Sequence, residues 1–334
     1  MPDHFVPENQ QHLQDAIAWA LAHEEPLQVI GTGSRAMIGN PSSARRQLSM
    51  RNFCGITLYE PEELILQTHA ATPMQVILHT LDDAGQCLPF DPPDYSAVLG
   101  SDNEQTAGTI GGLIGCGLAG SRRVKYGAIR DYVLGFQAVS GRAEWFKSGG
   151  RVVKNVTGYD LSKIFTGHWG TLGVVSNFTI KTGPKPHIST TILAPATLNQ
   201  AQALMTKALR CPHDVCAAAW LPKSCARVCH LAHEAVCILR LEGTEISVRT
   251  RASELQDILH AEFPDMIFDS LHDDYHSWEA VKNLTPFVGT KSRLWRIATQ
   301  ATKAAQLLQD AIAGLQNLGH DVPHGFLDWG GVLT

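Results

Sequence analysis

The 334-residue chain is sparing with charge: Asp, Glu, Lys and Arg make up 18% of it, and aromatic residues 7%. No block of like charges marks an acidic or basic tail. No long tract lacks the apolar residues a core needs, so disorder by composition is excluded. The eight cysteines, at 54, 87, 116, 211, 216, 225, 229 and 237, include no C-x-x-C pair. That spacing is unlike a zinc ribbon or a ferredoxin-type iron–sulfur run, and burial as small apolar groups is the expected role. A membrane-spanning helix is not expected. The uncharged stretch Gln105–Ser121 is too short and too rich in glycine to span. No signal-peptide pattern is recognised, so reduced thiols in a cytoplasmic setting are the expectation, with peripheral membrane attachment through a partner left open. A formal net charge of −5 argues against a general nucleic-acid binder.

With 44% hydrophobic residues, the chain can bury cores for roughly two domains. Its charge is unevenly spread. Residues 100–185 hold eleven Lys and Arg against five Asp and Glu, in a chain that is otherwise acidic. Sixteen of the 29 glycines fall between Gly100 and Gly173. Such density without a repeat means that backbone is held close to something, or turns often. A basic, glycine-rich segment suits an anionic ligand.

Periodicity gives a coarse plan. Leu13, Ile17 and Leu21 lie at i, i+4 and i+8, predicting a helix over 8–24. Strands are predicted at 27–30, 55–59 and 64–70. Thr72 is a candidate cap for a helix with Pro73 at its first position. The run 131–147 reads as a hairpin turning at Ser140-Gly141, and 170–181 as a strand. Gly183-Pro184-Lys185-Pro186 predicts a boundary between a domain over 1–183 and another over 184–334. In the second, HISTTIL, VCAAAWL, AVCILRLEG, MIFDS, SRLWRIA and GFLDW predict strands. Residues 197–210, 244–261, 271–283 and 300–318 predict helices. The fold class is α+β, with a ferredoxin-like sandwich as the second domain. The last stretch stops while still strand-like, so truncation at the C-terminus is an expectation.

The loop VIGTGSRAMIG, residues 29–39, satisfies G-x-G-x-x-A through Gly31, Gly33 and Ala36. A nicotinamide-binding unit would follow that pattern with a long helix. Here Gly39, Asn40, Pro41, Ser42 and Ser43 follow, which deny it. A nest of backbone N–H groups needs no helix. Gly31, Thr32, Gly33, Ser34 and Arg35 form a candidate pyrophosphate loop on that ground. A second segment, Gly108, Thr109, Gly111 and Gly112, offers further donors, with Gly111 leaving room for backbone approach. Arg122, Arg123 and Lys125 add cations, and Tyr126 a ring. Two such segments some seventy residues apart suit a flavin dinucleotide extended between two subdomains.

Four stretches carry a family resemblance: 29–39, 107–139, 149–167 and 170–181. Their order, spacing and type resemble the FAD-binding domain of the vanillyl-alcohol oxidase family, the PCMH-type flavin fold. The resemblance implies a two-subdomain FAD-binding domain followed by a smaller α+β cap. It also implies that Gly173, Val174 and Val175 lie on a strand facing the FAD. Within the family, DPPDYSAVLG, KNVTGYDLSKIF, SRLWRIA and FLDWGG are similar to FAD-binding subunits of bacterial glycolate-oxidising complexes. That likeness implies a paralogous flavin subunit, an iron–sulfur subunit, and oxidation of a 2-hydroxy acid, glycolate to glyoxylate, with electrons passed onward. Many relatives attach FAD through a histidine near the first loop. Ser34, Arg35 and Ala36 stand there, so non-covalent FAD is expected. Trp169 replaces a glutamate common in relatives, and a C-terminal histidine-rich metal motif is absent, His320 and His324 being its only echo.

Hydroxy-acid oxidation needs a base and a cation for the carboxylate. Arg293, Arg296 and His168 are candidates, each with a structural reading beside it, and no catalytic residue is assigned. Two readings stay open: a flavoenzyme subunit that oxidises or relays, and an assembly subunit whose FAD is structural or auxiliary.

Overall fold

The computed structural model describes residues 4–100, 108–151, 159–231, 234–290, 292–319, 325–328 and 332–333. The chain divides into two compact units. One comprises Met1–Ala119 and Ala128–Lys185, the other Gly120–Gly127 and Pro186–Thr334.

The first unit is built from β1 (His4–Phe5), α1 (Gln10–Ala22), β2 (Leu27–Ile30), β3 (Arg46–Ser49), β4 (Ile56–Glu60), β5 (Ile65–His69), α2 (Met74–Asp83) and β6 (Gln86–Cys87). After these come α3 (Ile110–Cys116), β7 (Val133–Ser140), β8 (Trp145–Gly149), α5 (Leu161–Phe165), β9 (Gly173–Lys181) and β10 (Gly183–Pro184). Between α3 and β7, α4 (Arg123–Tyr126) belongs to the second unit. Strands β1, β3 and β2 make a small parallel sheet, and β4-β5-β9-β7-β8 an antiparallel one. Two apolar clusters hold this unit. Leu13 and Ile17 of α1 pack with Leu48, Val139 and Val174, while Ile77 and Leu81 of α2 pack with Ile110, Leu113, Ile114 and Phe178.

The predicted α1 stripe is shifted. Leu13, Ala16, Ile17 and Ala20 are buried, and Leu21 is 56% exposed. Alanines at 16 and 20 let the helix sit low on its neighbours, which turns Leu21 outward. Thr72 does not cap α2, whose N-cap is Pro73. Its Oγ1 donates to His69 O and accepts from the Gly55 N–H, tying two turns together. Residues 110–116 form a helix that the glycine count concealed. Thr109 caps it, accepting from the Gly112 N–H at 3.2 Å, and Ile110, Leu113 and Ile114 supply the buried face.

In the second unit come β11 (Ile188–Pro195), α6 (Leu198–Arg210), β12 (Ala217–Leu221), α7 (Lys223–Val228), β13 (Val236–Gly243), α8 (Glu245–Glu262) and β14 (Asp269–His272). They are followed by α9 (Tyr275–Lys282), β15 (Ile297–Ala298), α10 (Ala304–Asn317), β16 (Leu327–Asp328) and β17 (Val332–Leu333). Strands β14-β11-β13-β12 pair antiparallel, the order of a split βαββαβ unit, and β16-β17-β15 extend the sheet. Leu204 and Met205 of α6, Leu255 and Leu259 of α8 and Leu308 of α10 share one core with the sheet. The strand predicted for SRLWRIA shrinks to two residues, because Leu294, Trp295 and Ile297 find no core and stay exposed.

A buried ion cluster ties the inserted segment to this unit. Glu242 of β13 meets Arg122 Nε at 3.0 Å and Arg240 Nη2 at 2.8 Å, and the Arg122 guanidinium lies over the Tyr126 ring at 4.6 Å. Replacing Glu242 leaves two buried guanidiniums without their shared counter-charge. Glu242→Gln is expected to cost about 3 kcal/mol of stability. Denaturant unfolding checks this, and an unchanged midpoint would remove the cluster from the unit's stability.

Candidate cofactor-binding site

The glycine loop after β2 and the Thr109 turn before α3 meet. A Cβ built on Gly31 would lie 2.6 Å from Thr109 Oγ1. Only glycine permits that approach, and it closes one wall of a cavity of about 670 Å³. Gly31, Thr32, Gly33, Ser34, Arg35, Thr109, Gly111, Gly112, Gly173, Val174 and Val175 all line this cavity. The structure therefore gathers eleven of the twelve residues expected from the sequence. Gly108 is not in the lining; it stands against the Arg35 guanidinium, where a Cβ would lie 2.1 Å from Nη1. The loop after β2 continues as turns, with Ala36 N–H donating to Gly33 O and Ile38 N–H to Arg35 O, and no helix follows before β3.

Electrostatics single out one residue. Among the described lining residues, Arg35 is the only side chain with a formal charge at neutral pH. Burial lowers its pKa, against the opposing pull of Cys116, Asp94 and Tyr95. Its Nε is buried without a hydrogen-bond partner. A buried guanidinium with an unsatisfied N–H, in a cavity walled by glycines with no carboxylate among its described lining residues, is chemistry for an anion. The residues fit the pyrophosphate of a dinucleotide.

Three lining residues went unflagged or undervalued as site residues. Cys116, in the last turn of α3, has its thiol pushed up to about 11 by burial, partly offset by Arg35. His168 has its imidazole lowered to about 4 by burial, and its Nδ1 accepts the Gly170 N–H at 3.2 Å. It is a neutral structural acceptor. Trp169 follows it with φ +55°, a left-handed conformation that costs a bulky residue roughly 1–2 kcal/mol. Its indole is nevertheless 50% exposed.

Several expectations are corrected. Gly111 is not spare room for a cofactor: its Cβ would meet Ala70 O at 2.6 Å, and its own N–H donates to that oxygen at 2.8 Å. The cations expected from 122–127 do not line the cavity. Arg122 pairs with Glu242, and Lys125 with Asp214, within the second unit. Arg293 and Arg296 lie exposed in the second unit. His320 and His324, and residues 154–158 of the KNVTGYDLSKIF stretch, lie outside the described residues.

Comparisons with known proteins bear on this site. Residues 4–149 match the family described as FAD binding domain. The structure resembles that of p-cresol methylhydroxylase, with a TM-score of 0.69 at 15% identity over 99% of this chain and 74% of that one. Fold and match define the class: an FAD-dependent oxidoreductase with a PCMH-type FAD-binding fold. The more particular likeness is to glycolate oxidase subunits. The chain is 29% identical to glycolate oxidase subunit GlcE of Escherichia coli, over 97% of this chain and 79% of that protein. It is 31% identical to subunit GlcD of Bacillus subtilis, over 58% of this chain and 40% of that protein.

Two outcomes test the site's construction. Gly111→Val, by clashing with backbone, is expected to cost about 3 kcal/mol and to lower the thermal midpoint even without ligand. A variant as stable as the parent would show that α3 does not rest on Ala70. For His168, the folded pKa lies below the unfolded one, so the unfolded chain takes up the proton first. Stability is then lost as pH falls from about 6.5 toward about 4. His168→Asn is expected to flatten that window in pH-dependent unfolding; an identical slope would assign the loss to other groups.

Proposed function

We propose that this cavity holds FAD non-covalently, with its pyrophosphate at Gly31–Arg35 and its flavin end running along Gly108–Gly112. We propose further that the chain is the FAD-binding subunit of a complex that oxidises a small 2-hydroxy acid, glycolate to glyoxylate. Its partners would be a paralogous flavin subunit and an iron–sulfur subunit. The observation that carries the reading is the meeting of the two glycine segments around Arg35. The similarity to GlcE and GlcD supports the substrate class and a multi-subunit assembly. In this reading, Pro186–Thr334 is the cap on the substrate side.

Bound flavin would supply the acceptor for the two electrons removed from the hydroxyl-bearing carbon. The chain's own residues do the rest of what can be read here. Arg35 balances phosphate charge. The glycines at 31 and 33 let the loop fold back: Gly31 against Thr109, Gly33 with φ +77°. A Cys116 thiol kept protonated by burial is a poor nucleophile, and the His168 Nδ1 lone pair is taken by the Gly170 N–H, which favours non-covalent binding.

One observation favours the second reading, an assembly subunit whose FAD is structural or auxiliary. The described lining residues include no carboxylate, and His168 Nδ1 is committed to the Gly170 N–H. No lining side chain is placed to take the hydroxyl proton, so the base would come from outside this cavity.

Arg35→Glu is expected to weaken FAD binding by at least tenfold, since it exchanges a counter-charge for a like charge. Titration of the flavin-free chain checks this, and an unchanged Kd would remove Arg35 from the site. Anaerobic glycolate, added to the FAD-loaded chain alone and then with its partner subunits, separates the two readings. Flavin bleaching in the isolated chain assigns it the oxidation; a flavin of this chain that stays oxidised while the partner's bleaches assigns it the assembly role.

A further inference from the structure

Trp169 poses a problem that the pyrophosphate site does not solve. Its backbone is left-handed, its indole is half exposed, and it lines the cavity. The strain is not repaid by burial, which is how residues at ligand clamps behave. Nor is the turn loose. Gly167 N–H donates to Ile114 O and Trp169 N–H to Gly115 O, each at 2.9 Å, and Thr171 N–H to His168 O at 2.9 Å. The neutral His168 ring holds the Gly170 N–H. The indole is thus carried on a turn pinned to the C-terminal end of α3.

We infer that Trp169 is the stacking wall for the adenine ring of the bound dinucleotide, an inference that rests on the FAD reading above. Helix α3 sets the distribution of charge. Arg35 lies against Gly108 and Gly112, at the helix's beginning. The Trp169 turn lies at its end, one turn of about 5 Å further on, where Ile114 and Gly115 present carbonyl oxygens. Around that end the described lining of the cavity is uncharged, with Leu27, Val29, Gly170, Thr171 and Val174, and the same five residues border a neighbouring recess together with Glu24 and Glu25. The doubly charged pyrophosphate belongs beside Arg35. A neutral, flat ring belongs beside the indole. Of the dinucleotide's two rings, isoalloxazine gains negative charge on reduction, and a carbonyl-rich end without a cation disfavours it there. Adenine stays neutral, and its flat face needs no counter-charge there. A flat aromatic face recognises a base by stacking without demanding a particular hydrogen-bond pattern.

The test uses the full chain freed of flavin, titrated calorimetrically with FAD, ADP and FMN. Compared are the parent, W169A, W169L, which keeps bulk but not the π-face, and W169F, which keeps a ring. The expected result is a loss of roughly tenfold or more in FAD and ADP affinity for W169A and W169L. FMN affinity should stay within about twofold, and W169F should recover most of the loss. Unchanged ADP affinity in folded W169L would overturn the inference, and so would a loss confined to FMN. A parent chain that binds neither FAD nor ADP would instead overturn the FAD reading itself. A parent that binds FAD while all variants bind it equally well would leave that reading standing and sink only the role of Trp169.

Discussion

The approach of Gly31 to Thr109 is the constraint on which the rest of the first unit's site depends. It brings a loop from a parallel sheet against the cap of a short helix, at a distance no side chain on residue 31 would allow. Everything that makes the cavity selective follows from that seam. Arg35, four residues on, is left over Gly108 and Gly112 with a buried, unsatisfied Nε. The cavity wall opposite is closed by β9, whose Gly173, Val174 and Val175 pair with Ser140, Val139 and Ala138 of β7. Among the described lining residues Arg35 is the one cation, and it marks the place along the cavity suited to an anionic group.

Much of this was legible in the residues. The loop 31–35 could be separated from a nicotinamide site because Gly39, Asn40 and Pro41 forbid the helix that such a site needs, and the structure has turns there. In the second unit the strands at HISTTIL, VCAAAWL and AVCILRLEG and the helices over 197–210 and 244–261 followed from periodicity, while β14 runs to His272 where a helix was expected and α7 was not foreseen; the 4-1-3-2 order is the ferredoxin-like arrangement expected. What was hidden had physical reasons. Helix α3 was masked by Gly111, Gly112 and Gly115, whose low propensity is overridden by the burial of Ile110, Leu113 and Ile114. Gly111 looked like space for a ligand and is space for Ala70, because a sequence shows that backbone comes close without showing to what. The basic run at 122–127 looked like a phosphate clamp. Its Arg122 is instead consumed by Glu242, more than a hundred residues away, a pairing no local pattern reveals.

The two units divide the chemistry unequally. The first offers a cavity whose described lining carries one buried guanidinium and no carboxylate. The second is a sheet-and-helix sandwich whose own buried charges are satisfied by one another.

Amide hydrogen exchange on the flavin-free chain, with and without FAD, tests the central claim most directly. FAD should slow exchange jointly in residues 31–36 and 109–116, on both sides of the Gly31–Thr109 seam, while the amides of β11–β13 in the second unit's core keep their rates. Protection of only one of those segments, or of neither, would contradict a single ligand held between them.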